Sequence, residues 1–79
     1  MMGQVSAEFY LIRTQAEMQC RMFQQAVDDI DRAIRMEPKE PLYHAERAVV
    51  YYRIGEFAEA LSSAKKSAEL NPEFGDATA

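Results

Sequence analysis

The 79-residue sequence predicts an all-α chain of two tandem helix-turn-helix hairpins, and three observations carry that expectation. First, the sequence repeats itself. A shift of 34 residues, with no gap, sets Arg13 on Arg47, Phe23 on Phe57, Ala26 on Ala60 and Pro38 on Pro72. The same shift sets Phe9 over Tyr43, Cys20 over Ile54, Val27 over Leu61, Arg32 over Lys66 and Met36 over Leu70. Second, apolar residues within each unit recur with the 3.6-residue period of an amphipathic helix. Third, only three Gly and three Pro interrupt the chain, which leaves long stretches for helix.

The first helix is expected near residues 7–20, with Phe9, Ala16 and Cys20 on its apolar face. The second, near 23–36, carries Phe23, Ala26, Val27, Ile30, Ala33 and Ile34. The third, near 41–54, opens on Pro41, whose missing N–H costs nothing in a first helical turn, and carries Tyr43, Val50, Tyr51 and Ile54. The fourth, near 57–70, carries Phe57, Ala60, Leu61, Ala64, Ala68 and Leu70. Gly55 suits a left-handed turn between the last two helices. Arg21 holds the same slot in the first unit, where a side chain at positive φ costs about 1 kcal/mol. The first turn is therefore expected either to be the weaker one or to take another geometry. Pro38 and Pro72 follow the second helix of each unit and disfavour helical geometry in the residue before them. The chain thus divides into repeat one at 7–40, repeat two at 41–74 and a tail at 75–79, all within one small domain.

Composition narrows the function classes. The net charge of −4 opposes docking on a phosphate backbone, so no nucleic-acid partner is expected. Cys20 is the only cysteine; it cannot close an internal disulfide, sits in no zinc-ligand spacing, and reads as a small apolar side chain. No stretch approaches the roughly 18 apolar residues of a membrane span. Met1 to Ser6 lacks the basic and apolar regions of a secretion signal, so a soluble chain without membrane insertion is expected, its compartment undetermined. The abrupt start and the small-residue ending Gly-Asp-Ala-Thr-Ala are what a piece of a longer protein would show.

With these residues in place, the chain resembles the tetratricopeptide repeat, a 34-residue helix-turn-helix unit, over residues 7–74. Ala26 and Ala60 fill its small-residue slot, and Pro38 and Pro72 its terminal proline slot. The stretch Tyr-Tyr-Arg-Ile-Gly-Glu-Phe-Ala-Glu-Ala-Leu at 51–61, with Glu-Leu-Asn-Pro at 69–72, is the part most similar to the family. Unit one departs from it: Thr14 and Glu17 stand where the pattern has Gly and Tyr, and Ile30 replaces an aromatic residue. Arg13 and Arg47 both occupy a slot that the pattern gives to Leu. The resemblance implies that the stacked hairpins leave a concave face, lined by the first helix of each unit, which binds a protein or peptide partner. Carried over slot by slot, that lining is Glu8, Leu11, Gln15, Met18 and Gln19 from unit one, and Leu42, Ala45, Val49, Tyr52 and Arg53 from unit two. Members that clamp a peptide carboxylate use Lys and Asn in slots held here by Leu11, Ala45, Gln15 and Val49, so that clamp is not expected.

Other candidate sites read as structural. Asp28 with Arg32 and Asp31 with Arg35 have the spacing of helix ion pairs, which accounts for the acidic cluster without a metal. Arg13 and Asp29 lie on facing helices of one hairpin, so a partly buried ion pair would explain a cation in an apolar slot. Arg47 faces Ser63 in the matching position and needs another partner, such as Glu46, Glu59 or a backbone carbonyl. His44, the only histidine, has no nucleophile or second ligand nearby in sequence and reads as packing. Gly55 stands alone rather than in a phosphate-binding loop, and no carboxylate pair is set for acid–base work. The chain is therefore not expected to be an enzyme, or to hold a cofactor or a metal.

Two functional readings remain. One is a scaffold that binds a segment of a partner on an apolar concave groove. The other is a structural section of a longer solenoid, or a self-association unit. Because two repeats fall short of the three or so that stabilise a solenoid, the isolated chain is expected to form a homodimer, with Leu61, Ala64 and Ala68 partly exposed and Phe74 covering part of the last hairpin. A four-helix bundle around a small ligand does not require a repeat with matching prolines and is set aside.

Overall fold

A computed structural model describes residues 5–71. The expectations for Pro72, Phe74 and the tail lie outside the described residues. Four helices follow in order: α1 (Ala7–Gln19), α2 (Phe23–Met36), α3 (Pro41–Ile54) and α4 (Phe57–Leu70). Each packs on its neighbours in sequence, and only α1 and α3 also touch across a hairpin, so the described residues form two tandem hairpins laid side by side.

The helix starts follow from local chemistry. The Ser6 hydroxyl accepts from the Phe9 N–H at 3.3 Å at the start of α1, and the Glu40 carboxylate accepts from the Leu42 N–H at 3.3 Å at the start of α3, where Pro41 needs no acceptor. The hairpin turns close alike. Arg21 and Gly55 both take positive φ, 62° and 99°. The next N–H reaches back into the helix in each case, Met22 to the Glu17 carbonyl at 2.8 Å and Glu56 to the Tyr51 carbonyl at 2.9 Å. Arg21 thus adopts the glycine-like conformation, and the first turn carries the steric cost rather than escaping it.

Two apolar clusters hold the helices. Ala7, Ile30, Ala33 and Tyr43 form one, with Tyr10, Leu11 and Ile34 against it. Met18, Ala26, Val27 and Val50 form the other, with Phe23 and Tyr51 against it. Both join α1, α2 and α3, so the second hairpin is fixed mainly by setting α3 onto the first. Within the second hairpin α4 buries little more than Ala60, Ser63 and Ser67, and the Ser67 hydroxyl donates to the Pro41 carbonyl at 2.9 Å. His44 is buried with Nε2 2.9 Å from the Pro38 carbonyl, which ties α3 to the connection before it and gives this residue a packing role.

The face expected to be buried on α1 is not the buried one. Phe9, Ala16 and Cys20 are exposed, whereas Ala7, Thr14 and Met18 are buried and Leu11 is half-buried. The side of α3 that carries Tyr43 and Val50 has the first hairpin to rest on. The matching side of α1 has no such neighbour among the described residues. Thr14 is tolerated inside because its hydroxyl donates to the Tyr10 carbonyl at 2.7 Å.

Candidate functional site

Among the described residues a buried charge cluster lies inside the first hairpin. Asp29 is only 1% exposed, and Arg13 holds it from both ends: Nε donates to Oδ2 at 2.9 Å and Nη2 to Oδ1 at 3.0 Å. The pair expected across the hairpin is therefore present, in the two-pronged geometry that favours arginine. The expected pairing along α2 is corrected. Arg32 turns to Asp29 at 3.1 Å rather than to Asp28, which accepts from Gln24 at 3.5 Å. Asp31 makes its ion pair with α3 rather than with Arg35: Arg47 Nε lies 3.3 Å from Oδ1. Arg47 thus finds its charge partner on α2, not in Glu46, Glu59 or a carbonyl. Its Nε is buried and not aligned for a hydrogen bond, so the contact is one of charge, and the guanidinium also lies 5.4 Å from the Tyr51 ring centre.

Glu17 sits beside this cluster, with Oε2 3.7 Å from Arg13 Nε and Oε1 buried without a hydrogen-bond partner. Two facing carboxylates have no hydrogen to share; one proton supplies it. Burial first, and then hydrogen bonding to Asp29, push the Glu17 carboxyl up to about 7. Burial acts to raise Asp29 as well, but the hydrogen bonds from Arg13, Glu17 and Arg32 prevail and hold it below its ordinary range.

A pH profile follows. Folding raises the Glu17 pKa from its ordinary 4.5 to about 7, so the folded chain keeps a proton that the unfolded chain releases. The stability this carries is complete below pH 4.5 and is lost by about pH 7. Asp29 acts oppositely: its contribution is present above the ordinary carboxylate range and is lost in stronger acid. Glu17→Gln, whose amide can donate to Asp29 at any pH, should flatten the fall in melting temperature between pH 5 and pH 8 and raise it at pH 8. A parallel fall in both proteins would mean that Glu17 does not carry the slope.

The expected concave lining is divided by the structure. Glu8, Gln15 and Gln19 are exposed on α1, and Leu42, Val49, Tyr52 and Arg53 are exposed on α3, while Ala45 is half-buried. Leu11 leans on the first cluster. Met18, only 7% exposed, belongs to the second cluster because α3 covers it, so most of its surface is spent on the core rather than offered to a partner. What remains of Met18 joins Gln19, Arg21, Phe23 and Arg53 around a shallow polar hollow near the first turn.

A second surface is entirely apolar in its lining residues. Ala48, Val49 and Tyr52 of α3 and Phe57, Ala60, Leu61 and Ala64 of α4 border an open groove of about 560 Å³. The Tyr52 and Phe57 rings stand 5.5 Å apart at its mouth. Tyr52, Phe57 and Leu61 are 64%, 62% and 58% exposed. The sequence reading placed Val49 and Tyr52 on a docking face and expected Leu61 and Ala64 to be partly exposed. It missed Ala48, Phe57 and Ala60 as members of the same surface. Among the described residues no His, Cys, Asp and Glu group is placed to hold a metal, and no helix is long and apolar enough to cross a membrane.

Residues 41–74 match the family model of the tetratricopeptide repeat. Over 60 residues, 76% of its length, the chain is 30% identical to the small glutamine-rich tetratricopeptide repeat-containing protein 2 of Mycosarcoma maydis, of which it covers 17%. It is 35% identical over 49 residues, 62% of its length, to the Protein SGT1 homologs of Bos taurus and Homo sapiens, of which it covers 14% and 13%. The chain therefore spans under a fifth of the length of these curated relatives. Four helices in two hairpins, a 34-residue internal repeat and a family match over the second unit agree: the chain belongs to the tetratricopeptide repeat family.

Proposed function

We propose that this chain is a protein-interaction module that holds a segment of another polypeptide against its second hairpin and catalyses no reaction. The observation that carries this reading is the open groove between α3 and α4, whose seven lining residues are all aliphatic or aromatic. A contiguous apolar surface of this kind is costly to leave in water, and paired aromatic side chains are the usual energetic centre of protein interfaces. The α3 residues of the expected concave face, Val49 and Tyr52, form one wall of it, so the two surfaces are continuous.

The test is selection of displayed peptides on the immobilised chain, with the binders measured again on Leu61→Glu. That substitution should weaken them at least about tenfold, the equivalent of about 1.4 kcal/mol. The fold should survive, because Leu61 is mostly exposed. Binders indifferent to Leu61→Glu but lost on Arg53→Ala would move the site to the polar hollow near the first turn.

A second reading, self-association or incorporation in a longer solenoid, is favoured by the exposed Phe9, Ile12, Ala16 and Cys20 on the outer side of α1. Solution mass across a concentration series separates the two: a monomer throughout favours a foreign partner, and a dimer lost in Leu61→Glu favours self-association.

A further inference from the structure

The groove has a counterpart within the chain, and the counterpart is filled. In the first hairpin Met18, Phe23, Ala26 and Val27 are covered by Val50 and Tyr51 of α3. Adding the repeat length of 34 to those four positions gives Tyr52, Phe57, Ala60 and Leu61, all of which line the open groove. Thr14 and Ile30, both fully buried, map in the same way onto Ala48 and Ala64. The groove is thus the seat that α3 occupies on the first hairpin, built a second time and left uncovered by the described residues. What fills the first seat is a helix lying along two others with an aromatic residue, Tyr43, and a valine, Val50, seven positions apart on its inner face.

Charge distinguishes the two seats. At the edge of the first, Asp31 of α2 meets Arg47 of α3 at 3.3 Å. The position that matches Asp31 in the second hairpin is Lys65, and the one that matches Arg32 is Lys66, both exposed. The acid that receives α3 is therefore replaced by a base. A helix arriving in the second seat meets a cation where α3 met an anion.

Resting on the reading of the groove as a polypeptide-binding surface, we propose that its occupant is an amphipathic helix of a different protein, with a docking face like that of α3 and a carboxylate in the register of Arg47. A second copy of this chain fits poorly. Its α1 is the element with the matching outer face, but α1 carries Arg13 in that register, where it would face Lys65 with like charge. Arg13 is moreover already committed to Asp29.

The experiment uses two peptides with the sequence of residues 41–54, cross-linked to hold them helical because a free helix of this length is marginal in water. One keeps Arg47 and the other carries Arg47→Glu. Their binding to the full chain and to its Lys65→Glu and Leu61→Glu variants is measured by fluorescence anisotropy, with circular dichroism melts to establish that each variant is folded. The Glu peptide should bind the parent chain about fivefold more tightly than the Arg peptide. Lys65→Glu should reverse that order, and Leu61→Glu should abolish both.

Equal binding of the two peptides to parent and Lys65→Glu chains overturns the charge assignment. Binding that survives Leu61→Glu places the peptide elsewhere and overturns the seat. If neither peptide binds while displayed peptides still require Leu61, the helix proposal fails and the proposed function stands; if those fail as well, both fall. A dimer of the parent chain that is lost in Leu61→Glu gives the groove to a second copy. Peptide binding that appears only in a Phe74→Ala variant gives it to the chain's own last residues. Either result overturns the proposal.

Discussion

Ile30→Ala is expected to lower the stability of the chain by about 3 kcal/mol, the middle of the range for emptying a fully buried aliphatic site. Ile30 has no exposed surface and sits in the cluster formed by Ala7, Ala33 and Tyr43, where three helices meet. Two of those neighbours are alanines, whose short side chains cannot move in to fill the space. At roughly 4–8 °C per kcal/mol for a domain of this size, the melting temperature should fall by about 12 °C or more. The starting stability of a small domain is itself only on the order of 5 kcal/mol, so the variant would keep about 2 kcal/mol and its unfolded fraction would rise more than about a hundredfold, to a few per cent. Ile30→Val, which removes a single methyl group, should cost about 1 kcal/mol. Thermal and urea melts followed by circular dichroism decide the matter. An Ile30→Ala chain that melts within a few degrees of the parent would mean that stability does not centre on this junction.

Asp29→Ala should be the next most damaging change, at about 2 kcal/mol near neutral pH. It removes the acceptor of three hydrogen bonds, two from Arg13 and one from Arg32. The loss stays below that of a pair broken deep in a core, because both guanidinium groups are about half exposed and can turn to water instead of being stranded. The same substitution takes from Glu17 the carboxylate that shares its proton. The melting temperature should therefore drop, and its dependence on pH above 5 should also become shallower. An unchanged melting temperature at pH 7 would show that the cluster, though well formed, contributes nothing net.

Much of this was legible in the sequence, and the reasons differ from one element to the next. The repeat fixed the helices: α2, α3 and α4 begin and end where the periodicity put them, and α1 stops one residue earlier, at Gln19. Arg13 and Asp29 could be paired from sequence because both belong to one hairpin, whose two helices have a relation set by their short turn. The Asp31 to Arg47 contact joins one hairpin to the next, and its register depends on how α3 comes to rest on α2, which no pattern inside either unit records. Periodicity also could not choose between the two stripes of α1. Ala7, Leu11, Thr14 and Met18 form one, Phe9, Ala16 and Cys20 the other, and the more apolar stripe turned out to be the uncovered one. The groove escaped notice for a related reason. Tyr52 belongs to one helix and Phe57 and Leu61 to the next, and each helix alone reads as having a core face.

The order of helix contacts has a mechanical consequence. The two end helices, α1 and α4, do not touch among the described residues, and α4 rests on α3 alone. Tension applied at the two ends would therefore pass from a first block, in which α1, α2 and α3 share two apolar clusters, to α4 through α3 alone. The joint between α3 and α4 is extensive, yet what α4 buries in it is mainly Ala60, Ser63 and Ser67, and its larger apolar side chains lie open. A helix laid across that opening would clamp α4 to α3 a second time, so whatever binds there would stiffen the second hairpin as well as hold on to it.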